Sequence, residues 1–169
     1  MPDVIGLLHS DERAAVARTV RDNNPGMSQE MAERIVDEAT KFVAVCAKNP
    51  HERLRPSRVV DEGWHALILH TALYTDFCRI FGRFVHHTPE SPDPARHDPD
   101  ALTRTQEHIV ASGFTVDDAL WLAPTDETIP VAASCSHGPG SPEGRAPLTR
   151  TVLTAPAGRT DVVLTGGQR

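Results

Sequence analysis

No stretch of this chain approaches the roughly 20 consecutive apolar residues that a membrane-spanning helix needs. The opening residues Met1-Pro2-Asp3-Val4 lack the charged, apolar and small-residue succession of a signal peptide, so a soluble, cytoplasmic protein without membrane contact is the expectation. Basic residues are too few and too scattered for a phosphate-binding face. With a formal net charge of -6 and a pI near 5.8, nucleic acid and anionic lipid are disfavoured as partners. Cysteine is scarce as well: Cys46, Cys78 and Cys135 are three in number, widely spaced and without a Cys-x-x-Cys pair. That excludes a zinc knuckle or a dithiol redox motif and leaves reduced thiols as the simplest reading. Neither a Gly-x-Ser-x-Gly elbow nor a Gly-x-x-x-x-Gly-Lys loop is present, which removes the usual serine-nucleophile and nucleotide-phosphate arrangements. No internal repeat is visible.

What remains is helix punctuation and apolar periodicity. Ser10, followed by Asp11 and Glu12, reads as a helix start, because its hydroxyl suits an orphan amide and the acids suit the positive end of the dipole. Asn23-Asn24-Pro25-Gly26 breaks that helix, and Ser28 caps a second with Glu30 in its first turn. Met31, Ile35, Ala39, Phe42, Val43 and Cys46 then recur at three- and four-residue steps, leaving Glu33, Arg34, Asp37, Glu38 and Lys41 for the wet side. After the charged connector 51–56, Ser57 caps a third helix. Its stripe of Val60, Trp64, Leu67, Tyr74, Cys78 and Phe81, widened by Ile68, Ala72 and Leu73, predicts one long central helix ended by Gly82.

Asp98-Pro99 reads as the start of a fourth helix, with Leu102, Ile109 and Val110 as its thin stripe and Gly113 as its stop. Thr115 would cap a short helix through Leu122, stopped by Pro124. Beyond Pro124 prolines and glycines multiply and aromatics cease, so the tail cannot bury enough apolar area to offset its ordering entropy. A short hairpin joining 151–153 to 161–164 is the one ordered element its β-branched content suggests. The expected fold is all-α: a small bundle of about four to five helices over residues 1–123, then a Pro/Gly-rich, largely disordered tail over 124–169.

The chemistry concentrates in the third helix and just past it. Asp61 and His65 are four residues apart, so on a helix they stand one turn above the other and can offer an oxygen and an imidazole nitrogen to one point. Reversal of the chain after Gly82 would bring back His86 or His87, which in extended chain face opposite ways. Asp61, His65 and one of His86 and His87 make a three-ligand set that suits zinc with an open position, or the two-histidine, one-carboxylate triad of iron(II). His70 lies about 140° round the helix from His65 and is the weaker candidate. Glu62 with His65 matches the Glu-x-x-His element of di-iron bundles, but no second copy accompanies it. Against these stand plainer roles. Asp61 also suits the helix N-terminus, His65 also suits a satisfied core position, and Cys78, Trp64, Tyr74 and Trp121 fit a core.

The motifs Pro56-Ser57, Val60-Asp61, Trp64-His65, Leu69-His70-Thr71, Tyr74, Phe77-Cys78 and Gly82-Arg83-Phe84-Val85-His86-His87-Thr88-Pro89 occur in that order. They resemble the glycine-rich domain-containing protein-like family, with its Asp-x-x-Trp-His and His-His-x-Pro signatures, over roughly residues 31–121. The resemblance implies a helical domain built around Asp61, His65 and the His86-His87 doublet, and supplies no established activity or cofactor. Tails rich in glycine and cysteine are usual in that family, and here only Ser134-Cys135-Ser136-His137-Gly138-Pro139-Gly140 remains of one.

Two function classes follow. The first is a small metal-binding protein with one mononuclear His/Asp site for zinc or iron, able to activate water or oxygen for a small-molecule substrate. The second is a helical adaptor in which the His/Asp/Trp cluster only locks the fold and the tail binds a protein partner.

Overall fold

The longest amphipathic pattern becomes the centre of the molecule. In the computed structural model, which describes residues 7–88, 98–133 and 138–139, the helix α2 (Gln29–Lys48) is surrounded by α1 (Ser10–Asn23), α3 (Arg58–Leu69), α4 (Thr71–Ile80) and α5 (Ala101–Ala111). The architecture is all-α, as the periodicity predicts. Ser28 caps α2, its Oγ accepting the Met31 amide at 3.1 Å, and Ala32, Ile35, Val36, Ala39, Phe42 and Val43 are fully buried. Among the described residues no helix is long and apolar enough to cross a membrane. The expected 151–153 and 161–164 hairpin lies outside the described residues, as does Cys135.

Two positions expected on the wet side of α2 are in the core. Glu38 and Lys41 pair at 2.5 Å; Glu38 also accepts the Trp121 indole N–H at 2.8 Å and the Asp117 amide at 3.2 Å, and Lys41 donates to the Thr115 carbonyl at 2.9 Å. The chain following α5 closes this flank, so a face that local periodicity assigns to solvent is covered by a distant segment. Its other charges are half-buried and matched: Arg13 of α1 reaches Glu33 and Asp37, and Arg34 reaches Asp117 at 2.7 Å. The hydrogen bond from Arg34 holds the Asp117 carboxyl below its ordinary range.

The third predicted helix is neither continuous nor central. It breaks at His70, whose backbone sits at φ -85°, ψ 65° and ends α3 while its carbonyl accepts the Tyr74 amide at 2.8 Å to begin α4. No glycine or proline marks the break. What holds it is tertiary: the His70 Nε2 lies 2.9 Å from the Thr19 Oγ1 of α1. The end expected at Gly82 is present, with φ +77°.

Elsewhere the boundaries shift by small amounts. Ser10 is the first residue of α1 and His9 the cap, its amide donating to Glu12 at 2.9 Å. α5 begins at Ala101 after an Asp98–Asp100 turn, and Val110 is exposed while Thr105 is buried on Arg55 and Ala101. The short helix after Thr115 is a single 3-10 turn, Asp118–Leu120. The tail does not part from the body at 124. Ile129 and Val131 pack on the core, Ala133 is buried, and the Ala132 and Ala133 amides donate to Asn24 and Glu62, both at 2.7 Å. Two-residue strands β1 (His87–Thr88) and β2 (Gly138–Pro139) pair antiparallel, His87 opposite Pro139.

The approach of α3 to α2 sets the frame for everything that α3 carries. A β-carbon on Gly63 would lie 2.8 Å from the Ile35 carbonyl oxygen and 2.9 Å from the Ala39 Cβ. Gly63→Ala gains about 1 kcal/mol of helix propensity, but overpacking against a backbone oxygen costs up to about 3 kcal/mol. The expected result is a net loss of about 2 kcal/mol in urea unfolding; an unchanged midpoint would show that the two helices separate freely.

Candidate metal centre

The cap of α3 fixes where its first turn points. Ser57 Oγ accepts the Val60 amide at 3.1 Å and donates to the Leu120 carbonyl at 2.5 Å, tying the helix start to the 3-10 turn. With that start fixed, Gly63, Trp64 and Leu67 face the core, and Asp61 and His65 lie on the opposite side. Asp61 is nevertheless only 1% exposed. Its carboxylate is covered by what comes back after Gly82.

That return is held by a relay of two hydrogen bonds. The Trp64 Nε1–H donates to the Tyr74 hydroxyl at 3.0 Å, and the hydroxyl donates to the Val85 carbonyl at 2.6 Å. Both donors and both acceptors are buried, where such bonds are worth most to geometry. In an unbroken helix Trp64 and Tyr74 would stand about 15 Å apart along the axis, so the relay exists because of the break at His70. Burial pushes the Tyr74 hydroxyl far above its ordinary pKa, so it stays protonated and remains a donor. The Tyr74 and Phe84 rings meet edge to face, centroids 5.1 Å apart.

Two residues past the anchored Val85, the His87 ring lies over Trp64 at 4.4 Å and beside His65 at 4.5 Å between centroids. His87 Nε2 is 3.3 Å from Asp61 Oδ1, and His65 Nε2 is 3.7 Å from Asp61 Oδ2. One ligand atom from each of Asp61, His65 and His87 lies within 4.8 Å of the others. The His87 side chain is 11% exposed and that of His65 31%, so the cluster opens toward solvent on the His65 side.

The doublet is split as alternation in extended chain predicts. His87 turns inward and His86 outward, where it is exposed and its ring meets that of Phe84 at a tilt, centroids 4.9 Å apart. His70 serves the helix break instead. Glu62 and His65 do not act as a pair: the Glu62 carboxylate turns toward α1, accepting from Asn24 Nδ2 at 2.9 Å and from the Ala133 amide at 2.7 Å. Burial raises the thiol pKa of both Cys46 and Cys78, so neither offers a thiolate. The Glu62–Asn24–Ala133 contact escaped sequence reading, since its members are far apart in the chain and none belongs to a motif. The positioning role of Trp64 and Tyr74 carried only a signal for burial.

Tyr74→Phe keeps the ring and removes the relay, leaving the Trp64 N–H and Val85 carbonyl without this partner. A loss of about 1–3 kcal/mol in unfolding free energy is expected. In NMR spectra the change should shift the His87 and Val85 resonances more than those of α1; a displacement confined to residue 74 itself would mean that the relay does not position the histidine.

A family model described as UCP032817-like matches residues 11–121, a span that contains Asp61, His65 and His87. No curated protein and no solved structure matches the chain. The protein therefore belongs to the UCP032817-like family.

Proposed function

We propose that this member of the UCP032817-like family binds one divalent transition-metal ion between Asp61, His65 and His87. The observation that carries the reading is the convergence of one carboxylate and one imidazole of α3 with one imidazole of β1 to within 4.8 Å of one another. Bonds of about 2.1 Å in tetrahedral geometry place neighbouring ligand atoms about 3.4 Å apart. The 3.3 Å from His87 Nε2 to Asp61 Oδ1 matches that edge, whereas His65 Nε2 lies 3.7 Å from the other oxygen, Oδ2, and the three ligand atoms spread over as much as 4.8 Å, so the cluster would contract around an ion. His65, the more exposed of the two histidines, is the ligand that would swing inward.

The donor set suits zinc and iron(II) alike. With three protein ligands the ion keeps a position for water or dioxygen, and activating one of these is the chemistry such a site supports. The open His65 side gives a small molecule access, and His86 lies outside the ligand set. The resemblance to the glycine-rich domain-containing protein-like family supports the same grouping, since its two motif blocks carry these residues.

A second reading has its own support. Asp61 and His87 lie at a distance that a plain hydrogen bond can also occupy, which fits a helical adaptor whose cluster only locks the return after Gly82.

Titration of the full-length, untagged protein with Zn2+, and with Fe2+ under anaerobic conditions, separates the two. One equivalent should bind, and His65→Ala, His87→Ala and Asp61→Ala should each weaken binding at least about tenfold while His86→Ala leaves it unchanged. A folded wild type that takes up neither metal would overturn the metal reading and favour the adaptor.

A further inference from the structure

We propose that the C-terminal segment is coupled to the metal centre, so that docking of residues 129–133 with β2 tightens metal binding and metal binding tightens the docking. This rests on the reading of Asp61, His65 and His87 as a metal site. The centre is built from two pieces, the first turns of α3 and the strand β1, and the segment grips both beside the ligands. Glu62, the chain neighbour of Asp61, accepts the Ala133 amide at 2.7 Å. Asn24 accepts the Ala132 amide at 2.7 Å and donates to the other Glu62 oxygen at 2.9 Å. Arg58, one turn before Asp61, adds longer contacts to the Val131 and Ile129 carbonyls at 3.4 and 3.5 Å. At the other piece, Pro139 and Gly138 pair with His87 and Thr88.

Glu62, Asn24 and Ala133 are all buried, so these are not surface contacts that solvent readily replaces. An ion bridging Asp61 and His87 restrains α3 against β1, and a chain segment bonded to both imposes the same restraint. Whichever binds first removes part of the ordering entropy that the other would otherwise lose, which is positive coupling without a change of shape. Linkage then requires the two effects to be equal in size.

Hydrogen exchange and metal titration on the full-length protein test this, with Zn2+ or Fe2+, whichever the wild type binds. The metal should slow exchange at the Ala132 and Ala133 amides about tenfold. Ala133→Pro, which removes the donor to Glu62 and touches no ligand, should weaken metal binding by a similar factor with its helical circular dichroism unchanged. Asn24→Ala, at the residue that follows α1, probes the same contact should the proline variant fail to fold, and the wild-type exchange measurement needs no variant. Metal binding that leaves exchange at residues 132 and 133 unchanged would overturn the coupling while the metal site stands. A wild type that binds neither ion would overturn the site, and the coupling with it.

Discussion

The hydrogen-bond relay from Trp64 through Tyr74 to the Val85 carbonyl is the constraint on which the rest of the arrangement depends. It joins three pieces of chain that local structure would not bring together: the middle of α3, the first half of α4, and the extended stretch after Gly82. Its geometry requires the helix to bend back at His70, and the bend in turn is held by Thr19 of α1. The tilted contact of the His87 ring with Trp64 follows from that register. A polar contact buried in the hydrophobic core, with the Phe42 ring edge-on to Trp64, thus decides where an imidazole two residues beyond Val85 comes to rest.

Packing and polar chemistry share α3 with little slack. One side is flush with α2 through Gly63, the flank carries Glu62 to α1 and the C-terminal segment, and the outer side presents Asp61 and His65. A helix whose neighbours on either side are fixed in this way cannot rotate to relieve a misplaced side chain. That rigidity would serve the proposed coordination site, whose ligand positions would have to hold to within a fraction of an ångström. His65 keeps more freedom because it lies at the open edge.

The helical class, the caps at Ser28 and Ser57, the end at Gly82 and the opposed orientation of His86 and His87 were legible because each depends on a few consecutive residues. The same holds for the Asp61–His65 spacing. What escaped was set by distant chain. Glu38 and Lys41 read as a wet face because nothing within α2 announces that residues 115–121 will cover them. The break at His70 carries no glycine or proline, and the short apolar run 129–133, set in a stretch rich in proline and glycine, carries no signal that its amides find buried acceptors on Asn24 and Glu62. Tertiary partners override periodicity in each of these places.

The interior Glu38–Lys41 pair has a bearing on how the sequence can drift. Losing either member alone strands an opposite charge in the core, commonly a penalty of about 3–5 kcal/mol, whereas an apolar pair of matching volume is often tolerated. Trp121 and Thr115 deepen the barrier, since each is bonded to one member and would need a new partner. Positions 38 and 41 are therefore bound to a common fate: descendants of this chain should retain both charges or have exchanged them together, with residue 121 following.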